Sequence, residues 1–310
     1  MFKRLLVPLD TSDLAEIALR YAEAMAIKLG SEIILLHVRT SADAPDQPEH
    51  TAYISKITAE TEQKIKKSAA LAPGEKVKVG SAIIGSPGII THPAEEIVDY
   101  AEKENVSLII MATHGKTGIR RWALGSTTNK VARVSKCPVL LIRAAAGVPG
   151  DVNLDKMLVP LDGSNPAEAV LAYIENLASR LKANVSLLNV VEPPYHIYPY
   201  YEGTGYYGTG GVIRVPYTLE EIKPMIEVAE KYLKGVNDKL RAEGIKTVYE
   251  VRTGSPAEEI IKAEEEMHPG MVAMSTHGHS GFGRWDHGSI ADKVLHTGKT
   301  PLLLVRPRQP

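Results

Sequence analysis

One long internal duplication constrains the fold of this chain more than any other feature of its 310 residues. Residues 3–10 read KRLLVPLD and residues 155–162 read DKMLVPLD. ATHGKTGIRRWALGS (112–126) returns as STHGHSGFGRWDHGS (275–289), and CPVLLIR (137–143) returns as TPLLLVR (300–306). The order of the matches is kept, and Gly115/Gly278, Trp122/Trp285, Gly125/Gly288 and Pro138/Pro301 share one offset. A period this long excludes a short-repeat solenoid. It predicts two copies of one domain, residues 1–145 and 152–310, each large enough to bury a full core. The small, Pro/Gly-bearing stretch 144–154 (AAAGVPGDVNL) joins them.

Within each copy, short apolar runs alternate with stretches of helical periodicity. Copy one predicts strands at 4–9, 32–38, 76–85, 107–112 and 139–143, with helices near 14–29, 52–71, 94–103 and 127–134. Copy two predicts strands at 157–161, 184–191, 246–253, 270–275 and 301–305, with helices at 166–182, 219–243, 257–267 and 290–296. EIILLHV (32–38) is apolar almost throughout, as in a strand covered on both faces. Strand–helix alternation means an α/β fold with a parallel sheet and right-handed crossovers. The copies differ in two places, both after strands. GIITHP (88–93) interrupts copy one before AEEI, whereas copy two runs directly from Gly254-Ser-Pro256 into AEEI. Copy two carries PPYHIYPYYEGTGYYGTGGVIRVPY (193–217), which holds seven of the chain's 13 tyrosines. A stretch of this kind is a lid, a partner surface, or a merely packed or disordered loop.

Bulk properties exclude several classes. With 36 Lys+Arg against 37 Asp+Glu, net charge is −1, which gives no electrostatic case for nucleic acid or an anionic membrane as main partner. The apolar runs are strand-length, too short to span a bilayer. MFKRLLVPLD reads as a strand rather than a signal peptide, and the single cysteine, Cys137, forms no internal disulfide; both fit a cytoplasmic protein. Cys137 precedes Pro138 in an apolar run and reads as a small buried hydrophobe.

The strongest chemical signal follows the fourth strand: His114-Gly115, nine residues, Gly125-Ser126 in copy one, and His277-Gly278, nine residues, Gly288-Ser289 in copy two. Glycine lets a backbone approach a ligand closely, and free amides with a hydroxyl at a helix N-terminus favour phosphate. The alternative is a tight turn with Ser126 and Ser289 as ordinary N-caps. Asp10 and Asp162 end VPL strands and are either ligand-facing or turn residues. Arg121 and Arg284 are phosphate ligands or solvated charges, and Trp122 and Trp285 read as packing anchors. Asp286-His287 replaces Ala123-Leu124 in copy two. An acid there disfavours a triphosphate, so copy one is expected to bind the tighter. His277, His279 and His287 match no standard metal-ligand spacing, and no metal site is assigned. The chain lacks a GxxxxGK[ST] loop, a GxSxG elbow and an HExxH helix, so no catalytic residue is assigned either.

This layout resembles the universal stress proteins over nearly the whole of both halves. The family signature is Gly, two residues, Gly, nine residues, Gly and a hydroxyl residue. Both copies have the last two glycines and the hydroxyl, whereas Ala112 and Ser275 replace the first glycine. The resemblance implies two tandem Rossmann-like domains, each a five-stranded parallel sheet of order 3-2-1-4-5 with helices on both faces. It also implies ATP or another adenine nucleotide, with Mg²⁺ as a permitted companion, across the ends of strands one and four. In copy one the implied ligands are Pro8, Asp10, Val38, Met111, Ala112, His114, Gly115, Gly125, Ser126 and Thr127. In copy two they are Pro160, Asp162, Val190, Met274, Ser275, His277, Gly278, Gly288, Ser289 and Ile290. The aspartates would face ribose and base, Val38 and Val190 the adenine edge, and the strand-four loops the ribose and phosphates. Such a protein is a stress-response regulator without enzymatic activity, or with slow ATP hydrolysis only. The alternatives are a phosphate- or adenylyl-transfer enzyme and an assembly module with another ligand. The resemblance further implies antiparallel pairing of the two fifth strands, an internal pseudo-dimer that could itself form a homodimer.

Overall fold

A computed structural model describes residues 1–40, 48–68, 77–85, 92–113, 124–143, 152–202, 209–278 and 288–307, except for the side chains of residues 200–202, 209 and 210. Copy one runs β1 (Arg4–Pro8), α1 (Asp13–Leu29), β2 (Glu32–Val38), α2 (Pro48–Lys67), β3 (Val79–Ile84), α3 (Pro93–Lys103), β4 (Leu108–Ala112), α4 (Ser126–Val134) and β5 (Val139–Ile142). Copy two runs β6 (Lys156–Pro160), α5 (Asn165–Glu168), α6 (Leu171–Leu181), β7 (Asn184–Val191), β8 (Tyr195–Glu202), β9 (Thr209–Pro216), α7 (Leu219–Ala242), β10 (Thr247–Thr253), α8 (Pro256–Met267), β11 (Met271–Ser275), α9 (Ser289–Thr297) and β12 (Leu302–Val305). Among the described residues no helix is long and apolar enough to cross a membrane.

Each copy builds the expected parallel sheet of order 3-2-1-4-5, and the two sheets join into one of ten strands. β12 pairs antiparallel with β5 at the centre, with Leu302 opposite Leu141 and Leu304 opposite Val139. An otherwise open edge on each copy is thereby closed. Side chains alternate between two apolar layers because strand residues point to opposite faces. Leu5, Val7, Ile33, Leu35, Leu108 and Ile110 pack with α1, α2, α6 and α7 on one face. Leu6, Ile34, Leu36, Ile109, Val139 and Leu141 pack with α3, α4, α8 and α9 on the other. Both layers run through the seam without a break.

Local signals explain most element ends. Ser12 accepts from the Ala15 amide to cap α1, and Gly30, at φ 61°, ends it in the left-handed region. The predicted helix 166–182 is two helices, because the chain re-enters at Val170 without a side-chain cap. α2 starts at Pro48, earlier than predicted, and β3 is shorter than the predicted 76–85. The larger departure is segment 193–217. It is not an irregular loop but an antiparallel hairpin, β8 on β9, with Tyr195 opposite Pro216 and Tyr198 opposite Ile213. Alternation of apolar side chains on both of its faces leaves Ile197, Tyr198, Val212 and Ile213 more than half exposed. Its base is tied down: the Tyr217 amide bonds the Pro194 carbonyl at 2.9 Å. His196 stacks on Tyr217 at 4.2 Å and meets Glu221 at 2.7 Å.

Candidate functional site

The carboxyl ends of the first and fourth strands lie side by side, because β1 pairs with both β2 and β4, and β6 with both β7 and β11. In an open α/β sheet this reversal of strand order leaves a crevice. In copy two it is a cavity of about 310 Å³. All ten residues named for copy two line it: Pro160, Asp162, Val190, Met274, Ser275, His277, Gly278, Gly288, Ser289 and Ile290. Leu188, Glu192, Pro256, Ile260 and Ala291 share the wall and were not singled out from sequence. Pro256 and Ile260 belong to α8, whose apolar stripe is visible in the sequence, but that stripe alone does not tell core from cavity wall.

Asp162 uses its two carboxylate oxygens differently. Oδ1 accepts from the Ser164 amide at 2.9 Å and the Ser164 hydroxyl at 2.6 Å, and Ser164 in turn caps α5. This is the side-chain turn its position predicts. Oδ2 points across the crevice: a Cβ built on Gly278 would lie 2.2 Å from it. Glycine at 278 therefore admits the Asp162 carboxylate. Copy one repeats the turn, with Asp10 Oδ1 accepting from the Ser12 amide at 3.2 Å and hydroxyl at 2.5 Å. Behind each aspartate stands a tyrosine. Tyr53 donates to Glu16 at 2.8 Å, and burial followed by that carboxylate raises its pKa. Tyr232 is raised in the same way by burial and then by Glu168, with Asp162 adding to it. Glu16 and Glu168 hold equivalent places after the two aspartates, but α2 and α7 share too little sequence to reveal the matching tyrosines.

The helix starts differ from the sequence alternative. Gly125 and Gly288 are the N-cap residues, at φ −58° and −56°, and neither helix has a side-chain cap. Ser126 and Ser289 are the first helical residues, so they are not N-caps. The backbone at each glycine is fixed from behind: its amide bonds Thr113 O at 2.9 Å in copy one and Thr276 O at 2.7 Å in copy two. Thr113 and Thr276 are themselves held by the fifth strands, through Ile142 O at 2.8 Å and Val305 O at 2.9 Å. The first-turn amides of α4 and α9 thus open toward the strand ends, as an anion site requires.

Ala112 and Ser275 end β4 and β11 and are buried. Ser275 Oγ accepts from the His277 amide at 3.3 Å, and Thr276 Oγ1 lies 2.9 Å from His277 Nδ1. The serine hydroxyl thereby ties down the loop where the signature has glycine. Pro8 and Val38 end β1 and β2, Met111 is buried in β4, and Thr127 lies in the first turn of α4. His114, Gly115, Arg121, Trp122, Ala123, His279, Arg284, Trp285, Asp286 and His287 lie outside the described residues. Among the described residues, no group of three or more His, Cys, Asp or Glu side chains is placed to hold a metal ion.

The second strands of the two copies carry a further difference. Asn189 donates to Leu161 O at 2.7 Å, and His37 Nδ1 meets the equivalent Leu9 O at 2.9 Å. His37 Nε2 continues to His50 Nδ1 at 3.1 Å, a buried pair with no counterpart in copy two, where Asn189 replaces the histidine. Glu192, in the cavity wall, corresponds to Thr40.

Comparison with known proteins agrees with this architecture. A universal stress protein of Methanocaldococcus jannaschii is 32% identical over 155 residues, covering 46% of this chain and 96% of that protein. The Bacillus subtilis universal stress protein YxiE is 32% identical over 154 residues, covering 46% of this chain and all of that one. The crystal structure of a universal stress protein from Archaeoglobus fulgidus superposes with a TM-score of 0.69 at 20% identity, covering 99% of both chains, a likeness of fold. The model of the universal stress protein family matches twice, over residues 1–143 and 153–306, and the chain belongs to that family.

Proposed function

We propose that this protein is a stress-response regulator that binds ATP or another adenine nucleotide and does not depend on turnover. The observation that carries the reading is the copy-two cavity. Its wall joins a carboxylate suited to ribose hydroxyls, Asp162, to the uncapped N-terminus of α9, suited to phosphate. About 310 Å³ matches the lower range of small-molecule sites. In copy one the same roles fall to Asp10, the end of β2 at Val38, and the amides at Gly125, Ser126 and Thr127. Phosphates at these helix ends would bring Mg²⁺ with them.

Asp10 and Asp162 each spend Oδ1 on holding a turn, a structural rather than a proton-transferring role. Hydrolysis is therefore expected to be slow, and the output is a ligand-dependent change of partner or shape. We place the protein in the cytoplasm, with a small nucleotide as ligand rather than nucleic acid or membrane, consistent with its near-zero net charge.

Mass spectrometry of the natively purified protein and calorimetric titration with ATP test the reading. Expected are a co-purifying adenine nucleotide and up to two sites per chain, with copy one the tighter. Titration of Asp162→Asn and Asp10→Asn separates the roles, since Asn keeps the turn-forming oxygen and loses the charge. Retained folding with weakened binding supports the reading. Absence of any adenylate binding by wild type removes it, and fast turnover with Mg²⁺ returns the enzyme alternative.

A further inference from the structure

The arginines that follow the two fifth strands reach across to the other copy. Arg143 follows β5 of copy one, and its guanidinium reaches into copy two. Nη2 donates to Val294 O at 2.9 Å, Nη1 donates to Leu295 O, and Nε points to Thr300 O at 3.4 Å. Val294 and Leu295 lie in the last turns of α9. Arg306 follows β12 of copy two and donates through Nη1 to Arg133 O and Val134 O, both at 3.3 Å. Those are the last two residues of α4 in copy one. The exchange is reciprocal: each copy supplies the cation that closes the C-terminal end of the other copy's helix.

The helices involved are the ones whose N-termini open on the candidate sites. Carbonyls of a helix's last turn carry partial negative charge, and a cation there is favourable, here as a second donor at Val294 O, which also accepts from the Gly298 amide at 2.9 Å. The seam also fixes the arginines from their own side. Ile142, one residue before Arg143, bonds the Thr113 amide, and Thr113 O holds the Gly125 amide at site one. Val305, before Arg306, bonds Thr276, and Thr276 O holds Gly288 at site two. Each arginine is thus anchored beside one site and grips the far end of the helix that forms the other.

The two grips differ in strength. Arg143 is 8% exposed, and burial pulls its pKa down to about 10, so it stays charged at neutral pH. Glu264, also buried, stands near it as counter-charge. Arg306 is only half-buried, and Ala101 of α3 occupies the position equivalent to Glu264.

We propose that Arg143 and Arg306 are positioning residues acting across the seam, Arg143 for the copy-two anion site and Arg306 for the copy-one site. Neither site is complete without the other copy. The inference rests on the anion-site reading for its ligand consequence, while its structural half stands without ligand.

The test uses the full chain and four variants: Arg143→Met, Arg143→Lys, Arg306→Met and Arg306→Lys. Without ligand, amide hydrogen exchange is followed along α4 and α9. Arg143→Met is expected to speed exchange in the last turn of α9 roughly tenfold, the effect of losing hydrogen bonds to a charged donor, and to leave α4 unchanged. Arg306→Met should do the reverse, more weakly. The lysine variants keep the charge without the fork and should fall between. With ATP added, the Gly125 and Gly288 amide resonances report the two sites separately. Arg143→Met should weaken the response at Gly288 and spare Gly125, and Arg306→Met the opposite. Uniform loosening, loosening confined to the mutated copy, or crossed exchange with unchanged affinity at both glycines would overturn the proposal. Should Arg143→Met not fold, the half-buried Arg306 variants decide it alone. Should wild type bind no ATP, the nucleotide reading fails. The exchange pattern then decides whether the arginines still position the helices of the other copy.

Discussion

The two copies share a frame and differ at what lies over it. Their ion pairs repeat: Lys130–Glu95 at 2.5 Å answers Lys293–Glu258 at 2.8 Å, and Lys136–Glu102 answers Lys299–Glu265, both at 2.9 Å. Both aspartates make the same turn, both fourth strands hand a threonine to the fifth, and both glycines open an uncapped helix. Several differences cluster at the crevice side. Copy two faces its crevice with Glu192 and Ser275 where copy one has Thr40 and Ala112, and it adds the β8–β9 hairpin beside Glu192. An added carboxylate makes a crevice less welcoming to a polyanion. Duplication thus preserved the parts that hold the backbone, while the side chains that tune charge drifted apart.

The comparison breaks most visibly at the seam. Leu141 and Leu304 are equivalent residues, both buried where β5 meets β12. Leu→Ala at either should cost roughly 2–5 kcal/mol, because each leaves a cavity in a layer shared by both copies. Equal costs and a single unfolding transition by chemical denaturation are expected. Two separate transitions, or a loss confined to one half, would show that the copies fold as independent units.

A sharper contrast lies at Gly278. Ala there would set its Cβ 2.2 Å from Asp162 Oδ2, so the carboxylate or the loop must move. Gly278→Ala is expected to abolish the copy-two share of ATP binding and to lower stability by about 1–3 kcal/mol, in the range of overpacking. Calorimetric stoichiometry should fall by one site. Unchanged stoichiometry would mean that Asp162 does not face the ligand.

These two positions also mark what a reader of the sequence could and could not see. Repetition exposed the strands and the paired His-Gly and Gly-Ser segments, because a duplicated motif fixes its own register, whereas the strand order and the ten residues that gather around the copy-two cavity were implied by the family resemblance. It also named Gly278 as a glycine that matters. The reason was hidden, since the neighbour that excludes a Cβ is an aspartate more than a hundred residues away in sequence. The terminal arginines of CPVLLIR and TPLLLVR looked like strand ends; only the antiparallel seam brings each to the other copy's helix. The hairpin was missed because tyrosine- and glycine-rich composition reads as loop, although YHIYPYYE and TGGVIRVP pair residue for residue. Tyr53 and Tyr232 face the same acidic corner from helices whose sequences have diverged.

Glu264 gives a pH-dependent version of the contrast, since Ala101 replaces it in copy one. Burial raises its pKa above the ordinary carboxylate value, opposed by the Lys299 amide and by Arg143. A raised folded-state pKa means that the native state binds the proton more tightly than the unfolded chain. The contribution to stability is full below the unfolded value near 4.5 and is lost as pH rises through the higher folded value. Glu264→Gln should therefore gain on wild type as pH climbs from about 4 toward neutrality. Its amide must still take the Lys299 N–H, which Glu264 accepts at 3.0 Å. Thermal unfolding across that window measures it, and a stability difference independent of pH would remove Glu264 as the titrating group.

The smallest expected effect separates α7 from α2, the helices that each lead into the third strand of their sheet, β10 and β3. α7 opens with a full capping box: Thr218 accepts from the Glu221 amide, and the Glu221 carboxylate accepts from the Thr218 amide at 2.7 Å. Glu221 also meets His196, so the cap fastens the root of the hairpin to the helix. Those partners hold the Glu221 carboxyl below its usual pKa, Thr218 more than His196. Thr218→Ala should cost about 1 kcal/mol, the ordinary value of an N-cap. Because among the described residues the hairpin strands pair only with each other, the loss should stay local. Hydrogen exchange is expected to quicken in the first turn of α7 and at Tyr217, with the ten-stranded sheet unaffected. Loosening that reached β7 would mean that the hairpin root supports the copy-two crevice, and it would tie this hairpin to the candidate site.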